Sequence, residues 1–346
     1  MRFLPTEEQT AFGRTLAELL TAARVPAVAR AWAAGDPAPG RALLERLAAT
    51  GLFALAVPEE HGGAGVLPVE LVTAFVELGR YAVPGPVVET AAAGTLLTGA
   101  ATGTGTAVGE AVGRLVAGVS SGAPVTLVLP GGSGYALDPD VSETVLVVEE
   151  AGPGSGVLRA APGHGPLRIS ADPVRRRARP AAGGALLASG PGVVRAAARA
   201  GELARLLTAA QSLGVGLALL ERTVAYVRQR RQFGRPVGSF QAVRHRLADV
   251  LIGLEFARPL VFGAAVTGAR GDIAAAKTAA GEAAYAAARA ALQAHGAIGY
   301  TEELDLALWL RKARPLRDAW GTPSVCRGVV LDAYAADRAE APGSAG

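Results

Sequence analysis

Cysteine, lysine and histidine are scarce in this 346-residue chain, and each scarcity removes a class of function. The single cysteine, Cys326, leaves no intrachain disulfide and no thiolate-rich zinc site, and reads as a small buried apolar group. The four histidines, His61, His164, His245 and His295, are too far apart for two to ligate from one helix face, so no metal centre is expected. Lys277 and Lys312 are the only lysines; nearly all positive charge is arginine, and the net charge is just +4. An excess that small does not point to nucleic acid, which calls for charge concentrated on one face. The densest basic run, Arg175-Arg176-Arg177 with Arg179, lies in a Pro/Gly-rich stretch and reads as a solvated loop.

Unbroken apolar runs are missing too. Thr90–Gly109 and Leu115–Leu137 carry no charge, but Gly, Ser, Thr and Pro interrupt both, so no membrane span is expected. The start, Met1 to Glu8, turns acidic within eight residues and has no apolar secretory core, which predicts a cytoplasmic protein. No Gly-x-Ser-x-Gly elbow, P-loop or strand-linked dinucleotide fingerprint occurs. Gly152-Pro153-Gly154-Ser155-Gly156 resembles a phosphate loop, but no helix pattern follows it.

What is present is apolar: half the residues are hydrophobic and 18% are charged, which excludes a disordered chain. The length suits about two domains. Glycine, at 45 residues, is abundant enough to reflect GC-rich coding, so a single glycine carries weight only in context.

Three zones follow one another: helices over 1–118, a small β region over 119–194, and a helical bundle over 195–346. In the first, Thr6 with Glu7, Glu8 and Gln9 offers a capping box, and Phe12, Leu16, Leu19 and Leu20 keep helical spacing. Pro37 to Gly40 ends a segment, Arg41–Thr50 and Val69–Leu78 read as further helices, and Val57 to Gly65 must be a loop. In the second zone, Val125–Leu129 and Val145–Val148 are compact strand-like runs, with weaker ones at Leu167–Ile169 and Ala185–Leu187. In the third, Leu203, Leu206, Ala210, Leu213, Leu217, Leu220, Val224 and Val227 trace an uninterrupted helical seam. Gly214 and Gly216 lie in that seam at about 1 kcal/mol each in helix propensity, so close packing or burial must offset them; opening a ligand pocket and helix packing are the two readings of their small size. A second helix is expected from Ser239, ended or kinked at Pro259, and a third over Asp272–His295. Shorter ones are expected around Glu303–Ala313 and Ser324–Ala336.

Two segments carry chemistry. Tyr226-Val227-Arg228-Gln229-Arg230-Arg231-Gln232-Phe233-Gly234, followed by Ser239-Phe240-Gln241, places guanidinium forks at an interhelical turn, where they suit a pyrophosphate. Gln293-Ala294-His295-Gly296-Ala297-Ile298-Gly299-Tyr300 exposes backbone N–H groups at a helix end, again suiting an anion. Either alone is a helix terminus with basic residues near the dipole. Their co-occurrence favours the ligand.

With these motifs the chain resembles the flavin-dependent acyl-CoA dehydrogenases over essentially its whole length. Val57 to Gly65 with Glu77-Leu78-Gly79-Arg80 is similar to that family's first-domain loop and helix. Gln229 to Gly234 is similar to its Arg-x-x-Phe-Gly motif, and Gln293 to Tyr300 to its Gln-x-x-Gly-Gly-x-Gly-Tyr motif. The resemblance implies a mainly α fold with a small, barrel-like β domain and a C-terminal four-helix bundle. It implies FAD, an acyl-CoA substrate, oligomerisation and an electron-accepting partner protein. Arg230, Phe233, Gln241, Gln293, Gly296, Gly299 and Thr322 match cofactor-holding positions, several of which serve the flavin of a neighbouring subunit. Arg205 matches an Arg beside the catalytic centre, and Glu202 an acidic position near the pantetheine arm; helix-dipole compensation is the other reading of Glu202.

The departures from the family are informative. Its catalytic base is a Glu in a Tyr-Glu-Gly-Thr run, whereas here the run is Ala319-Trp320-Gly321-Thr322. An indole only donates and cannot take the proton. The alternative base position is Ala204. The Thr-Glu-Pro-Gly-Ala-Gly-Ser-Asp and Trp-Ile-Thr runs that line the flavin ring are missing, and Ala297 replaces a motif Gly. The expectation is a subunit that holds the FAD tail for a base-supplying partner in a hetero-oligomer, on a bulky substrate such as a steroid side-chain thioester. The alternatives are a self-sufficient enzyme with Glu202 as base, or a flavin-free acyl-CoA-binding scaffold.

Overall fold

The computed structural model describes residues 5–100 and 106–340; Met1–Leu4 and part of the uncharged stretch Thr90–Gly109 lie outside the described residues. The first helix starts at Thr6 with the expected capping box. Its hydroxyl accepts from Gln9 N at 3.2 Å, and the Gln9 carbonyl Oε1 accepts from Thr6 N at 2.9 Å. The first zone consists of α1 (Glu7–Ala22), α2 (Val25–Ala33), α3 (Ala38–Ala48), α4 (Pro68–Arg80), α5 (Val87–Ala100) and α6 (Thr106–Ser120). Pro39 and Gly40 do not close a segment; they open α3, where a Cβ on Gly40 would meet the Trp32 ring at 2.2 Å.

The β zone holds β1 (Val125–Val128), β2 (Ala136–Leu137), β3 (Thr144–Glu150), β4 (Gly156–Ala160), β5 (Arg168–Ile169), β6 (Arg176–Ala178) and β7 (Ala185–Gly190). They form a four-stranded sheet ordered β1-β3-β4-β7, with β1 parallel to β3, and a three-stranded sheet ordered β2-β6-β5. Gly152 and Gly154, both at positive φ, shape the β3–β4 hairpin, which accounts for the phosphate-loop look-alike.

The arginine run is not a solvated loop. Three of its residues begin or flank β6, and strand alternation turns them to opposite faces. Arg176 is buried, paired with Asp140 at 3.0 Å and bonded to Trp32 O, while Arg177 faces outward. The internal partner, Asp140, is 36 residues away in the chain and gave no local signal.

The bundle comprises α7 (Pro191–Gln229), α8 (Gln241–Thr267), α9 (Arg270–His295), α10 (Leu306–Asp318) and α11 (Pro323–Glu340), with a two-residue hairpin, β8 (Arg231–Gln232) and β9 (Arg235–Pro236), after α7. Pro259 does not end α8, which runs on to Thr267; only the one ladder bond from its missing N–H is lost. α7 is the hub and packs against α4, α5, α8, α9 and α10. Gly214 and Gly216 serve that packing rather than a pocket. A Cβ on Gly214 would lie 1.9 Å from Val76 O, one on Gly216 2.5 Å from Leu254 Cδ2, and one on Gly79 2.1 Å from Gln211 O. α4 and α7 thus cross with a glycine of each against the backbone of the other. Both lysines are buried. Lys312 pairs with Asp172 at 3.1 Å, tying α10 to the β zone, and Lys277 Nζ donates to Arg317 O at 2.7 Å. Burial lowers the Lys277 pKa to about 8.

Two described helices, α7 and α8, are long and apolar enough to cross a membrane by length and composition alone. The apolar window of α7 is 94% buried inside the protein, which makes it a core helix, whereas that of α8 is 33% buried.

Gly214→Ala should destabilise by about 1–3 kcal/mol through overpacking, while Gly113→Ala, whose added methyl meets nothing, should stabilise by up to about 1 kcal/mol. Urea denaturation of the two variants checks the opposite signs. Asp138, fully buried beside β2, has its pKa raised to about 7, chiefly by burial. The folded state therefore holds a proton that the unfolded state loses near the ordinary value of 3.8, so stability falls as pH rises from about 4 through 7. Asp138→Asn should flatten that fall in denaturation curves taken across the window.

Candidate functional site

Two recesses matter, and they sit at opposite ends of α7. At its C-terminal end is a cleft of about 300 Å³ lined by Arg230, Gln232, Phe233, Val237, Phe240, Gln293, Ala294 and Gly296. The fold therefore brings together the two motifs that lie about 60 residues apart in the sequence. Arg230 Nη1 donates to His295 O at 2.7 Å and to the Tyr226 hydroxyl, and the Tyr226 ring stacks on His295 at 4.0 Å. His295 Nδ1 lies 2.8 Å from Ala291 O; a carbonyl only accepts, so Nδ1 carries the proton. Burial lowers the His295 pKa, which keeps the ring neutral. The guanidinium is thus anchored by one nitrogen, and its Nη2 and Nε make no hydrogen bond to the described residues. Gly296 turns the chain at φ 65°, where a Cβ would lie 3.8 Å from both terminal nitrogens of Arg230. Ala297 is tolerated because its φ is not positive. Phe233, at φ 53°, is 92% exposed, its ring perpendicular to that of Phe240 with the centroids 6.2 Å apart.

The other expected cofactor residues divide. Gln293 and Gly296 line this cleft, while Gln241 sits exposed at the first turn of α8, outside its lining. Gly299 is buried against His295 and Leu292, so its absent side chain serves packing, not ligand contact. Thr322 lines the second recess and caps α11, its hydroxyl accepting from Val325 N at 3.3 Å.

That second recess is a cavity of about 960 Å³ between the β zone, the first turns of α7 and the α10–α11 turn. Trp320 stands in it at φ 56°, a rare conformation for a bulky side chain, and two bonds hold it. Arg205 Nε donates to Trp320 O at 3.0 Å, and the Trp320 indole N–H donates to Glu89 Oε1 at 3.0 Å. Arg205 Nη1 also donates to Glu202 Oε2 at 2.6 Å, and Glu202 Oε1 pairs with Arg270 Nε at 3.5 Å. Both oxygens of Glu202 are therefore committed to guanidinium groups, which explains its place in the site better than a role as base.

Glu89 is the residue that sequence reasoning missed. It is 4% exposed, lines the cavity, and has a second oxygen without a hydrogen bond to the described residues. Its signal was available, for it is the only charged residue between Arg80 and Glu110. The loop Leu129 to Gly134 and a basic group, Arg175, Arg177 and Arg314, also line this cavity unforeseen. Among the described residues no cluster of His, Cys, Asp and Glu could hold a metal ion.

The chain matches the model of the acyl-CoA dehydrogenase N-terminal domain over residues 6–112 and that of the C-terminal domain over residues 192–335. It is 34% identical over 312 residues to acyl-CoA dehydrogenase IpdE2 of Mycobacterium tuberculosis, covering 89% of this chain and 92% of that one. Among solved structures it is similar to the Tcur3481-Tcur3483 steroid ACAD G363A variant, with a TM-score of 0.80, 25% identity and coverage of 96% of this chain and 99% of that one. The ChsE4-ChsE5 complex from the same mycobacterial species as IpdE2 shares the fold, with a TM-score of 0.78 at 24% identity over 99% of this chain and 100% of that one.

If Arg205 positions the turn, Arg205→Ala should release Trp320 and remove its fluorescence contribution from the cavity environment. A red-shifted emission maximum, compared with a Trp320→Phe control, checks this.

Proposed function

The chain belongs to the acyl-CoA dehydrogenase family and its cofactor is FAD, and from that premise we propose that it is the tail-holding subunit of a hetero-oligomeric enzyme. It lends Arg230, Phe233 and Gln293, with Gln241 beside them, to FAD seated mainly in a partner chain that supplies the catalytic base. The C-terminal cleft fits a dinucleotide's diphosphate, since it offers a half-anchored guanidinium, an amide side chain and a glycine turn within one recess. The reading is carried by Trp320, which stands where the resemblance puts the catalytic base. Trp320 donates its indole N–H to Glu89 and has no lone pair for the substrate's α-proton.

Geometry supports sharing. Arg205 lies on α7 and Arg230 directly follows its last residue, about 38 Å apart at about 1.5 Å per residue, farther than one FAD reaches from a ring in the cavity to a tail in the cleft. A partner chain that completes either station accounts for this separation. The surface is suited to one. α8 leaves Leu251, Ile252, Phe256 and Leu260 exposed along one side, an apolar stripe that a neighbouring chain would cover.

Bound FAD supplies the hydride acceptor for α,β-dehydrogenation of an acyl-CoA thioester. This chain's residues hold the tail through Arg230 and Gln293, fix the α10–α11 turn through Arg205, and narrow the cavity with Trp320. A steroid side-chain thioester is the substrate class we infer from the likeness to the steroid ACAD, with an electron-transfer protein as final acceptor.

A second reading is a self-sufficient enzyme, and one observation favours it: Glu89 presents an unbonded carboxylate oxygen beside the base position. In the co-purified complex, Arg230→Ala should lose FAD on gel filtration; full retention of the flavin absorbance contradicts the shared-tail reading. Glu89→Gln separates the two readings, because it should change kcat only slightly in the complex, whereas a fall of about 100-fold or more would make Glu89 the base.

A further inference from the structure

Of the two buried lysines, Lys312 has a carboxylate partner and Lys277 has none among the described residues. Lys277, on α9, is 1% exposed, and its ammonium is spent on backbone. Nζ donates to Arg317 O at 2.7 Å and to Gly321 O at 3.3 Å. The first of these is one of the last carbonyls of α10, which lack partners within the helix and carry the negative end of its dipole. The second belongs to the turn between α10 and α11. Such a cation does not serve the fold. Burial lowers its pKa from 10.5 to about 8, so between those values the unfolded chain holds a proton that the folded chain has released, and stability rises with pH across that window. An apolar side chain of similar length would spare the fold this cost, and the use of the lysine lies in what it holds.

What it holds is the turn that carries Trp320. Trp320 at φ 56° and Gly321 at φ 127° follow one another in the left-handed half of backbone space, and two different cations take their carbonyls. Arg205 Nε donates to Trp320 O from the cavity side, and Lys277 Nζ to Gly321 O from the interior. The Cys326 thiol adds a weak contact to Gly321 O at 3.6 Å, and a Cβ on Gly321 would lie 2.9 Å from that sulfur. Trp320, Gly321 and Thr322 all line the large cavity, so one buried ammonium fixes part of its wall. The charged and titratable groups that act on it are Arg205 from α7, Arg317 and Asp318 from α10, and Cys326 from α11.

We propose that Lys277 is a positioning residue of the cavity: its ammonium holds the Trp320–Thr322 turn in the conformation that sets Trp320 on the wall, and loss of its proton loosens that turn. The inference does not depend on which chain seats the flavin. A charge-assisted hydrogen bond is about twice as strong as a neutral one, so a neutral amine keeps both carbonyls within reach but holds them less firmly.

The experiment follows tryptophan emission and acrylamide quenching of the full chain across a pH window centred on about 8, with the Trp320→Phe variant subtracted. Trp32 and Trp309 are fully buried, which leaves Trp320 as the responsive indole. Its emission should shift to the red and its quenching should rise in one transition as pH passes about 8. Lys277→Met should show the high-pH spectrum throughout, with no transition. Lys277→Gln, which keeps an N–H donor without the charge, should also lose the transition and covers the case of a methionine variant that does not fold. Cys326→Ala should retain it. Thermal unfolding recorded on each variant establishes that it is folded. A wild-type spectrum that is constant across the window overturns the proposal, as does a transition that survives replacement of Lys277. A transition lost in Cys326→Ala assigns the proton to the thiol and also overturns it.

Discussion

The backbone contact between α4 and α7 organises the molecule. Gly79 and Gly214 each face the other helix's main chain at a distance no side chain could share, which locks a 39-residue helix against the first zone. Everything functional is placed from that helix. Its first turns carry Glu202 and Arg205 into the large cavity, and its last residue before the hairpin delivers Arg230 to the small cleft. Because the helix is rigid over its length, the separation of the two stations is fixed by its geometry and not by loop conformation.

At the cavity end, one polar chain runs from Arg270 through Glu202 and Arg205 to the Trp320 carbonyl, and from the Trp320 indole to Glu89. This chain explains how a tryptophan keeps a strained backbone conformation on the cavity wall. The buried Lys312–Asp172 pair fixes the neighbouring wall, since Asp172 adjoins Ser170 and Ala171 on the cavity lining. Trp320 itself can only donate, and Glu89 is the carboxylate beside it.

The helical parts were legible because large apolar residues recur at helical spacing, as in the seam from Leu203 to Val227. The β zone was read less completely. β2, β5 and β6 are two or three residues long, too short for alternation to show, and Arg176 looked like surface until Asp140 and the Trp32 carbonyl were seen around it. The convergence of Arg230, Phe233, Gln293 and Gly296 on one cleft was legible because these residues sit in compact motifs, although Gly299 is buried in packing and Gln241 is peripheral. Glu89 was overlooked for the opposite reason: a lone charge in an apolar helix belongs to no motif, and only folding brings it to Trp320.

The central claim is that this chain lends its cleft to an FAD tail and depends on a partner chain for the base of thioester oxidation. Its most direct test is the visible spectrum and dye-coupled CoA-thioester oxidation of the purified chain, alone and co-expressed with a second acyl-CoA dehydrogenase-like chain. The account predicts a colourless, inactive protein alone and a yellow, active complex. A yellow protein that oxidises the thioester by itself would contradict it.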